Sequence, residues 1–306
     1  MRTDAYRKSI YARFAAQARA AGLEWIVLHG IEGYPESIGR DLDAVCIDRE
    51  ATQRACALFE GAAQEQPDTL AVVYPNPLWG KRVLAISRRY EVAELHILYR
   101  INSGVISCRP DFAGKKYLGD FPYEENAAEF KAVVMPLLGN SPKVLARMEA
   151  AGVERYSAAL QSAYRHLKAG GRITGLDRLR IYLQYMGSPC QALESIRYSL
   201  RVKRKQVRCA TAPLVEFESY SDAAFERLRD KLSEVFTDFR CGDRMSAGQM
   251  SRHLARQELV YLTKPGGDYP GKRIAVDLRD EAAAAAIVEA FCAFNLGNKT
   301  AYFDGR

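Results

Sequence analysis

The chain has 306 residues, which is enough for two or three domains and too many for a single small module. Hydrophobic residues make up 48% of it and charged residues 26%, values that exclude a disordered, collagen-like or coiled-coil protein. The 44 Lys and Arg against 37 Asp and Glu give a net charge of +7, which favours partners that carry phosphate, such as nucleotides or RNA.

Neither the apolar runs nor the cysteines indicate a secreted or membrane protein. No stretch reaches the roughly 18 to 20 apolar residues of a membrane helix, and the first residues form no apolar signal core. The seven Cys show no C-x-x-C pair and no regular spacing, which indicates a reducing compartment. We therefore expect a cytoplasmic protein without membrane insertion.

The first 118 residues alternate helical and extended patterns, with Gly, Pro and Ser at the breaks. The predicted elements are a helix over 5–21 ended by Gly22, a buried strand over 25–28 closed by Gly30, a loop over 31–40, a strand over 42–48, a helix over 49–63 with Asp48 as its N-cap, and strands over 69–75, 81–89 and 93–100. This order predicts a mixed-sheet domain over residues 1–118.

The remainder of the chain predicts two more domains, so that the whole is of the α+β class. Residues 122–200 have helical spacing interrupted by Gly and Pro, which predicts a helical domain over 119–206. The last part, 207–306, has a βαββαβ order with one added helix, which predicts a ferredoxin-like domain.

Two charged or glycine-rich segments in the later part carry alternative interpretations. The run 201–208 holds five positive charges and is either a contact for an anionic polymer or a solvated linker. Residues 266–272 match G-x-x-x-x-G-K, but Arg273 follows and a strand pattern stands where a helix is required. We interpret this second segment as a hairpin turn.

Acidic residues on the second predicted strand carry the chemistry. Side chains alternate across a strand, so Asp41 and Asp43 share one face while the apolar residues between them turn into the core. Paired carboxylates suit Mg²⁺ or Mn²⁺, and two such ions can clamp both oxygens of a phosphoryl displacement. Glu94 is the candidate third ligand, with Glu91 as second choice, and His96 is expected to neighbour the site.

The same residues carry a resemblance to a known family. His29-Gly30-Ile31 is followed by nine residues and then by Asp41-Leu42-Asp43-Ala44. This pattern resembles the nucleotidyltransferase superfamily, whose fold is that of DNA polymerase beta. The string LHGIEGYPESIGRDLDAV is also similar to nucleotidyltransferase-like proteins of bacterial surface-polysaccharide loci.

The resemblance implies a Mg²⁺- or Mn²⁺-dependent enzyme that moves a nucleoside monophosphate from a nucleoside triphosphate, such as ATP, to a hydroxyl acceptor and releases pyrophosphate. It implies that Asp41, Asp43 and Glu94 are catalytic and bind the metal. The nucleotide-binding candidates are Gly30, Ile31, Ser37, Lys81 and Arg82. An alternative interpretation of Lys81 and Arg82 is that they are surface charges that keep a hairpin soluble.

Several alternatives stay open from the sequence alone. The acceptor is a sugar or other small molecule, a tRNA end, or a protein hydroxyl. Ile31 stands where the family has a small residue and Glu94 where it commonly has Asp, and both features favour a catalytically inactive binding or scaffold protein on the same fold, with RNA as one candidate ligand. For the enzyme, we expect Asp43→Asn to abolish transfer and to leave thermal stability nearly unchanged.

Overall fold

The structure, a computed structural model, describes residues 2–76, 80–103, 106–186, 192–193, 195–197, 213–236, 238–254, 258–264 and 272–297. The chain divides into two compact units. The first unit consists of residues 1–14, 56–95 and 202–306, and the second unit consists of residues 15–55 and 96–201.

Both units contain helices and strands. The helices are α1 (Arg2–Ala20), α2 (Arg49–Gln64), α3 (Glu125–Glu129), α4 (Met135–Leu138), α5 (Lys143–Ala151), α6 (Ala158–Lys168), α7 (Gly175–Tyr185), α8 (Asp222–Leu232), α9 (Ala247–Leu254) and α10 (Ala283–Gly297), with a π-helical turn at Phe130–Val134 and a 3₁₀ turn at Val153–Arg155. The strands are β1 (Trp25–His29), β2 (Asp41–Cys46), β3 (Thr69–Asn76), β4 (Gly80–Ser87), β5 (Val92–Leu98), β6 (Ile101–Ser103), β7 (Ile106–Cys108), β8 (Lys116–Leu118), β9 (Phe121–Tyr123), β10 (Leu214–Ser219), β11 (Phe239–Cys241), β12 (Leu259–Leu262) and β13 (Arg273–Asp277).

The α+β class and the mixed sheet are confirmed. In the second unit the strand order is β5-β2-β1-β9-β8, where β1 pairs antiparallel with β2 and parallel with β9. In the first unit the order is β3-β4-β5, and β3 and β4 are antiparallel. Strand β5 belongs to both strand orders because the division between the two units falls within it, between Leu95 and His96.

Local signals in the sequence account for the start and end of the first helices. Gly22 has φ +61° and ends α1, and the amide of Leu23 donates to the carbonyl of Ala18 at 2.9 Å, as in a Schellman motif. The carboxylate of Asp48 accepts from the amide of Ala51 at 2.7 Å and caps α2. The predicted glycine stop and N-cap are both confirmed.

The C-terminal sheet contradicts the ferredoxin-like prediction. Its order is β11-β12-β10-β13, and all three pairings are parallel. A ferredoxin-like sheet is antiparallel, whereas here helices α8 and α9 carry the chain back between successive strands, as parallel pairing requires. Sequence periodicity gives no strand direction, and it does not reveal the three-residue strand β11 at all.

Several interpretations from the sequence fall on residues that the structure does not describe. Strands β12 and β13 lie parallel to β10, on its two sides. The hairpin-turn interpretation of residues 266–272 falls on residues 265–271, which lie outside the described residues, as do the basic run 201–208 and residues 300–305, the last strand of the predicted βαββαβ order.

Helical structure predominates between residues 125 and 185, as predicted, although four short strands, β6 to β9, precede it. Helix α7 begins with a capping box in which Thr174 and Asp177 satisfy each other's backbone amides. Within the described ranges, no helix combines the length and apolar character that crossing a bilayer requires. The division into domains 1–118, 119–206 and 207–306 stays a prediction.

A glycine turn joins β1 to β2 and sets the shape of the loop between them. Gly30 has φ +106°, and a Cβ atom built on it would lie 2.4 Å from the carbonyl oxygen of Asp41. The amide of Gly39 donates to the carbonyl of Gly30 at 2.9 Å, so both ends of the loop are held against the start of β2. Only glycine tolerates this conformation and this approach together.

We expect Gly30→Ala to lower the free energy of unfolding by roughly 2–4 kcal/mol, because it adds a backbone clash to an unfavourable φ. Gly22→Ala is the matched control, since Gly22 has φ +61° but an added Cβ atom would meet nothing within 4 Å. Its cost should be only about 1–2 kcal/mol. Urea denaturation measures both, and equal losses would contradict the close approach at Gly30.

Candidate active site

The two aspartates of β2 occupy different environments. Asp41 begins the strand and is exposed, and its carboxylate makes no ion pair within the described part of the chain. Asp43 is only 5% exposed, and the residues on either side of it, Leu42 and Ala44, belong to the core. A buried carboxylate is costly unless it is paired, so the contacts of Asp43 decide what this strand can do.

Two cationic or polar side chains engage the two oxygens of Asp43. Nδ1 of His96 lies 2.7 Å from Oδ1, and Nζ of Lys131 lies 3.4 Å from Oδ2. Burial opposes ionisation, but the hydrogen bond from His96 and the charge of Lys131 outweigh it and hold the pKa of Asp43 well below its usual range. Asp43 is therefore ionised at neutral pH, and His96 carries its proton on Nδ1.

An irregular helical turn places Lys131 at this position. The segment Phe130–Val134 is π-helical, and the amide of Met135 donates to the carbonyl of Phe130. Pro136 follows and has no amide to give to the carbonyl of Ala132. That carbonyl instead accepts from Arg147 at 3.4 Å, which ties helix α5 to the same turn.

A second polar cluster begins at the end of β1, beside the first. His29 pairs with Asp43 across the two strands, after a β-bulge that follows Val27. Nδ1 of His29 bonds to the carboxylate of Glu32, and Nη2 of Arg147 donates to Nε2 of His29 at 2.9 Å. The bond to Glu32 raises the pKa of His29, against the opposing effects of burial and of the Arg147 charge.

The proposed phosphate loop already holds a carboxylate. The amide of Gly30 donates to Oε2 of Glu32 at 2.9 Å, so Glu32 takes the backbone donor that a nucleotide phosphate would use. Ile31 is 7% exposed and packs into the core, and Ser37 is exposed, with its amide donating to the carbonyl of Gly33 at 2.7 Å. Of the predicted phosphate donors, Gly30 is the one whose amide binds an anion here.

The other predicted site residues lie in the first unit. Glu94 is 3% exposed, and its Oε1 lies 3.1 Å from Nε of Arg82, so these two predicted site residues pair with each other. The hydroxyl of Tyr11 bridges the amide and carbonyl of Glu94 at 2.9 and 3.0 Å. Lys81 precedes Arg82 on β4 and is half-buried. Glu91, the second choice as metal ligand, accepts from Ser87 at 3.1 Å in a turn.

Glu94 and His96 leave the same face of β5, because they are two residues apart on one strand. His96 is the member of this pair that contacts Asp43, as expected for a site neighbour. The assignment of Glu94 as the third metal ligand stays a prediction.

The described residues meet the needs of a divalent ion in part. No group of three His, Cys, Asp or Glu side chains among them is arranged to hold a metal ion. Asp41 and Asp43 nevertheless supply two carboxylates from one strand, and Mg²⁺ commonly binds one or two carboxylates together with waters and substrate phosphates. The chemistry of this donor set therefore fits a metal that arrives with a nucleotide.

Sequence reasoning did not find three residues of the site, Glu32, Lys131 and Arg147. Glu32 lies in the loop next to Gly30. A carboxylate so close to a glycine-rich, anion-binding loop was the sequence signal that could have identified it. Lys131 and Arg147 sit on helices far along the chain, where isolated basic residues usually mark a solvated face. Only Pro136, which interrupts a helical pattern, pointed to an irregularity there.

Comparison of the chain with protein-family models and with curated proteins gives no match.

We expect Asp43→Asn to lower the free energy of unfolding by roughly 3–5 kcal/mol, because it leaves the buried His96 and the partly buried Lys131 without their carboxylate. This replaces the expectation of nearly unchanged stability. The matched control is Asp41→Asn, which should stay within about 0.5 kcal/mol of wild type because Asp41 is exposed. Urea denaturation at pH 7 compares the two, and equal small effects would contradict the buried contacts.

The His29–Glu32 pair should make stability depend on pH. The pKa of His29 is raised from 6.5 and that of Glu32 is lowered from 4.5, so their attraction is complete between those two values. As pH rises through the raised pKa of His29, the contribution is lost. We expect about 1 kcal/mol or less, because Glu32 is 61% exposed.

The measurement is the difference in unfolding free energy between wild type and His29→Gln from pH 5 to 9. This difference should shrink with rising pH, and Glu32→Gln should remove its pH dependence. A difference that stays constant over the range would show that the pair does not titrate as described.

Proposed function

We propose that the protein is a Mg²⁺-dependent nucleotidyltransferase that moves a nucleoside monophosphate from a nucleoside triphosphate to a hydroxyl acceptor and releases pyrophosphate. One observation carries the proposal: an ionised, buried Asp43 stands two residues from an exposed Asp41 on a strand whose start packs against the Gly30 turn. This arrangement supports the motif resemblance with geometry that a chance D-x-D pair on a surface strand lacks.

The two aspartates would have different roles. Asp41 is exposed and faces an arriving substrate, whereas Asp43 is held ionised and in one place by His96 and Lys131. When bound, Mg²⁺ would neutralise charge on the triphosphate and polarise its phosphoryl oxygens. The acceptor hydroxyl then attacks the α-phosphate in line, and the residues contribute mainly by positioning. Glu94 remains the proposed third acid.

The loop after β1 would receive the phosphates. Its Gly30 amide now donates to Glu32, so a nucleotide phosphate would exchange with that carboxylate. Glu32 is 61% exposed, which allows it to turn away into solvent. The acceptor would be a sugar, another small molecule or an RNA end.

A second candidate is a catalytically inactive binding or scaffold protein on this fold. It is favoured by the internal pairing of groups that a transferase would use for substrate: Glu32 on the Gly30 amide, and Lys131 on Asp43. Calorimetry with ATP, CTP, GTP and UTP in Mg²⁺ separates the candidates, because the transferase must bind at least one of them and the scaffold need not.

The decisive experiment follows transfer of label from α-³²P nucleoside triphosphates to sugar phosphates or tRNA in Mg²⁺. We expect Asp41→Asn to reduce the rate by roughly 100- to 1,000-fold or more, the scale of losing one electrostatic stabiliser. Asp41→Asn is preferred to Asp43→Asn because Asp41 is exposed, so that a loss of activity cannot be attributed to a loss of stability.

Asp230→Asn is the matched control, since Asp230 is an exposed carboxylate on α8. It should transfer label at the wild-type rate. Full activity in Asp41→Asn would remove the metal role of Asp41, and wild type that binds none of the four nucleotides would favour the scaffold.

A further inference from the structure

A pocket lies farther along β2 from the aspartates, within the second unit. Its lining includes Val45 on β2, Tyr99 and Arg100 after β5, and Arg109 and Phe112 after β7. Its volume is about 360 Å³, which is the size of a site for a small molecule and too small for a folded polymer. Val45 follows Asp43 by two residues on the same strand face, so the pocket begins roughly 7 Å along the strand from Asp43.

The described lining carries basic side chains. It contains Arg100 and Arg109, and no Asp or Glu is among the described residues that line it. Arg109 is exposed, and it forms no ion pair with any residue in the described ranges. A third guanidinium, that of Arg49, lies 5.8 Å from the centre of the Tyr99 ring at the pocket wall. Guanidinium groups bind phosphate through paired N–H donors, and an uncommitted one at a pocket favours an anion.

One acidic residue near the pocket, Glu124, is already engaged elsewhere. The carboxylate of Glu124 is buried and accepts from the amides of Asn126 and Ala127 at 2.9 and 2.8 Å, where it caps α3. Burial, with the charge of Glu124 adding to it, raises the pKa of Cys108 to about 12. The Cys108 thiol is therefore neutral at physiological pH and brings no negative charge to the pocket.

The uncharged part of the lining suits an organic group attached to the anion. The rings of Tyr99 and Phe112 offer apolar surface, and the hydroxyls of Ser107 and Ser195 belong to residues that can donate or accept hydrogen bonds. A small cyclic molecule with several hydroxyls matches this mixture of rings and polar groups.

We infer that this pocket binds a small phosphate monoester, with Arg100 and Arg109 on the phosphate and the Tyr99 and Phe112 side on its organic ring. This binding site stands independently of catalysis. Its use as the acceptor site rests on the proposed nucleotidyltransferase function, and it selects a phosphorylated small molecule over an RNA end as the acceptor class.

The test is isothermal titration of the full chain with glucose 1-phosphate, inorganic phosphate and glucose, without nucleotide or Mg²⁺. We expect saturable binding of glucose 1-phosphate, weaker binding of phosphate and none of glucose. Arg109→Ala and Arg100→Ala should each weaken glucose 1-phosphate binding at least tenfold, and Arg109→Lys should weaken it less than Arg109→Ala, because Lys keeps the charge but not the paired donors.

Arg172→Ala is the matched control, because Arg172 is an exposed arginine of the same unit outside the pocket. It and Asp41→Asn should bind glucose 1-phosphate as wild type does, which separates this site from the proposed transfer chemistry. Absence of saturable binding, or an equal loss in Arg172→Ala, would overturn the site. Equal affinity for phosphate and glucose 1-phosphate would overturn the assignment of Tyr99 and Phe112 to an organic ring.

Discussion

The buried charge of Asp43 is the constraint on which the rest of the site depends. An ionised carboxylate within a sheet requires partners, and His96 from a neighbouring strand and Lys131 from a helix supply them. These contacts fix three elements against one another at one point. The same contacts keep Asp43 ionised, so a fixed anion lies two residues from the exposed Asp41 on the same strand.

Short-range patterns made the first part of the fold predictable. The glycine stop at Gly22 and the cap at Asp48 each involve residues a few positions apart, and both are confirmed. Pairing directions are different, because they depend on which strands meet after the chain has crossed the sheet. The C-terminal sheet shows this, since β10, β12 and β13 match predicted strands but pair parallel where the ferredoxin-like prediction has antiparallel pairing.

The candidate site was predictable in the same partial way. Asp41 and Asp43 stand in a motif, and His96 follows from strand alternation. Lys131 and Arg147 belong to no motif, and their approach to Asp43 and His29 depends on how a helix containing Pro136 is wound. The partner of Arg82 was missed for another reason: a basic residue near a proposed triphosphate site was assigned to the ligand, whereas the structure pairs it with the acid Glu94.

The wide π-helical turn before Pro136 holds two cations in register. Lys131 in this turn contacts Asp43, and the Ala132 carbonyl, which Pro136 cannot serve as a donor, accepts from Arg147, whose other nitrogen donates to His29. A helix advances by about 100° per residue, so loss of one residue from this turn would swing Lys131 to a different side of its helix. The length of this five-residue segment thus sets the positions of cationic side chains in both polar clusters.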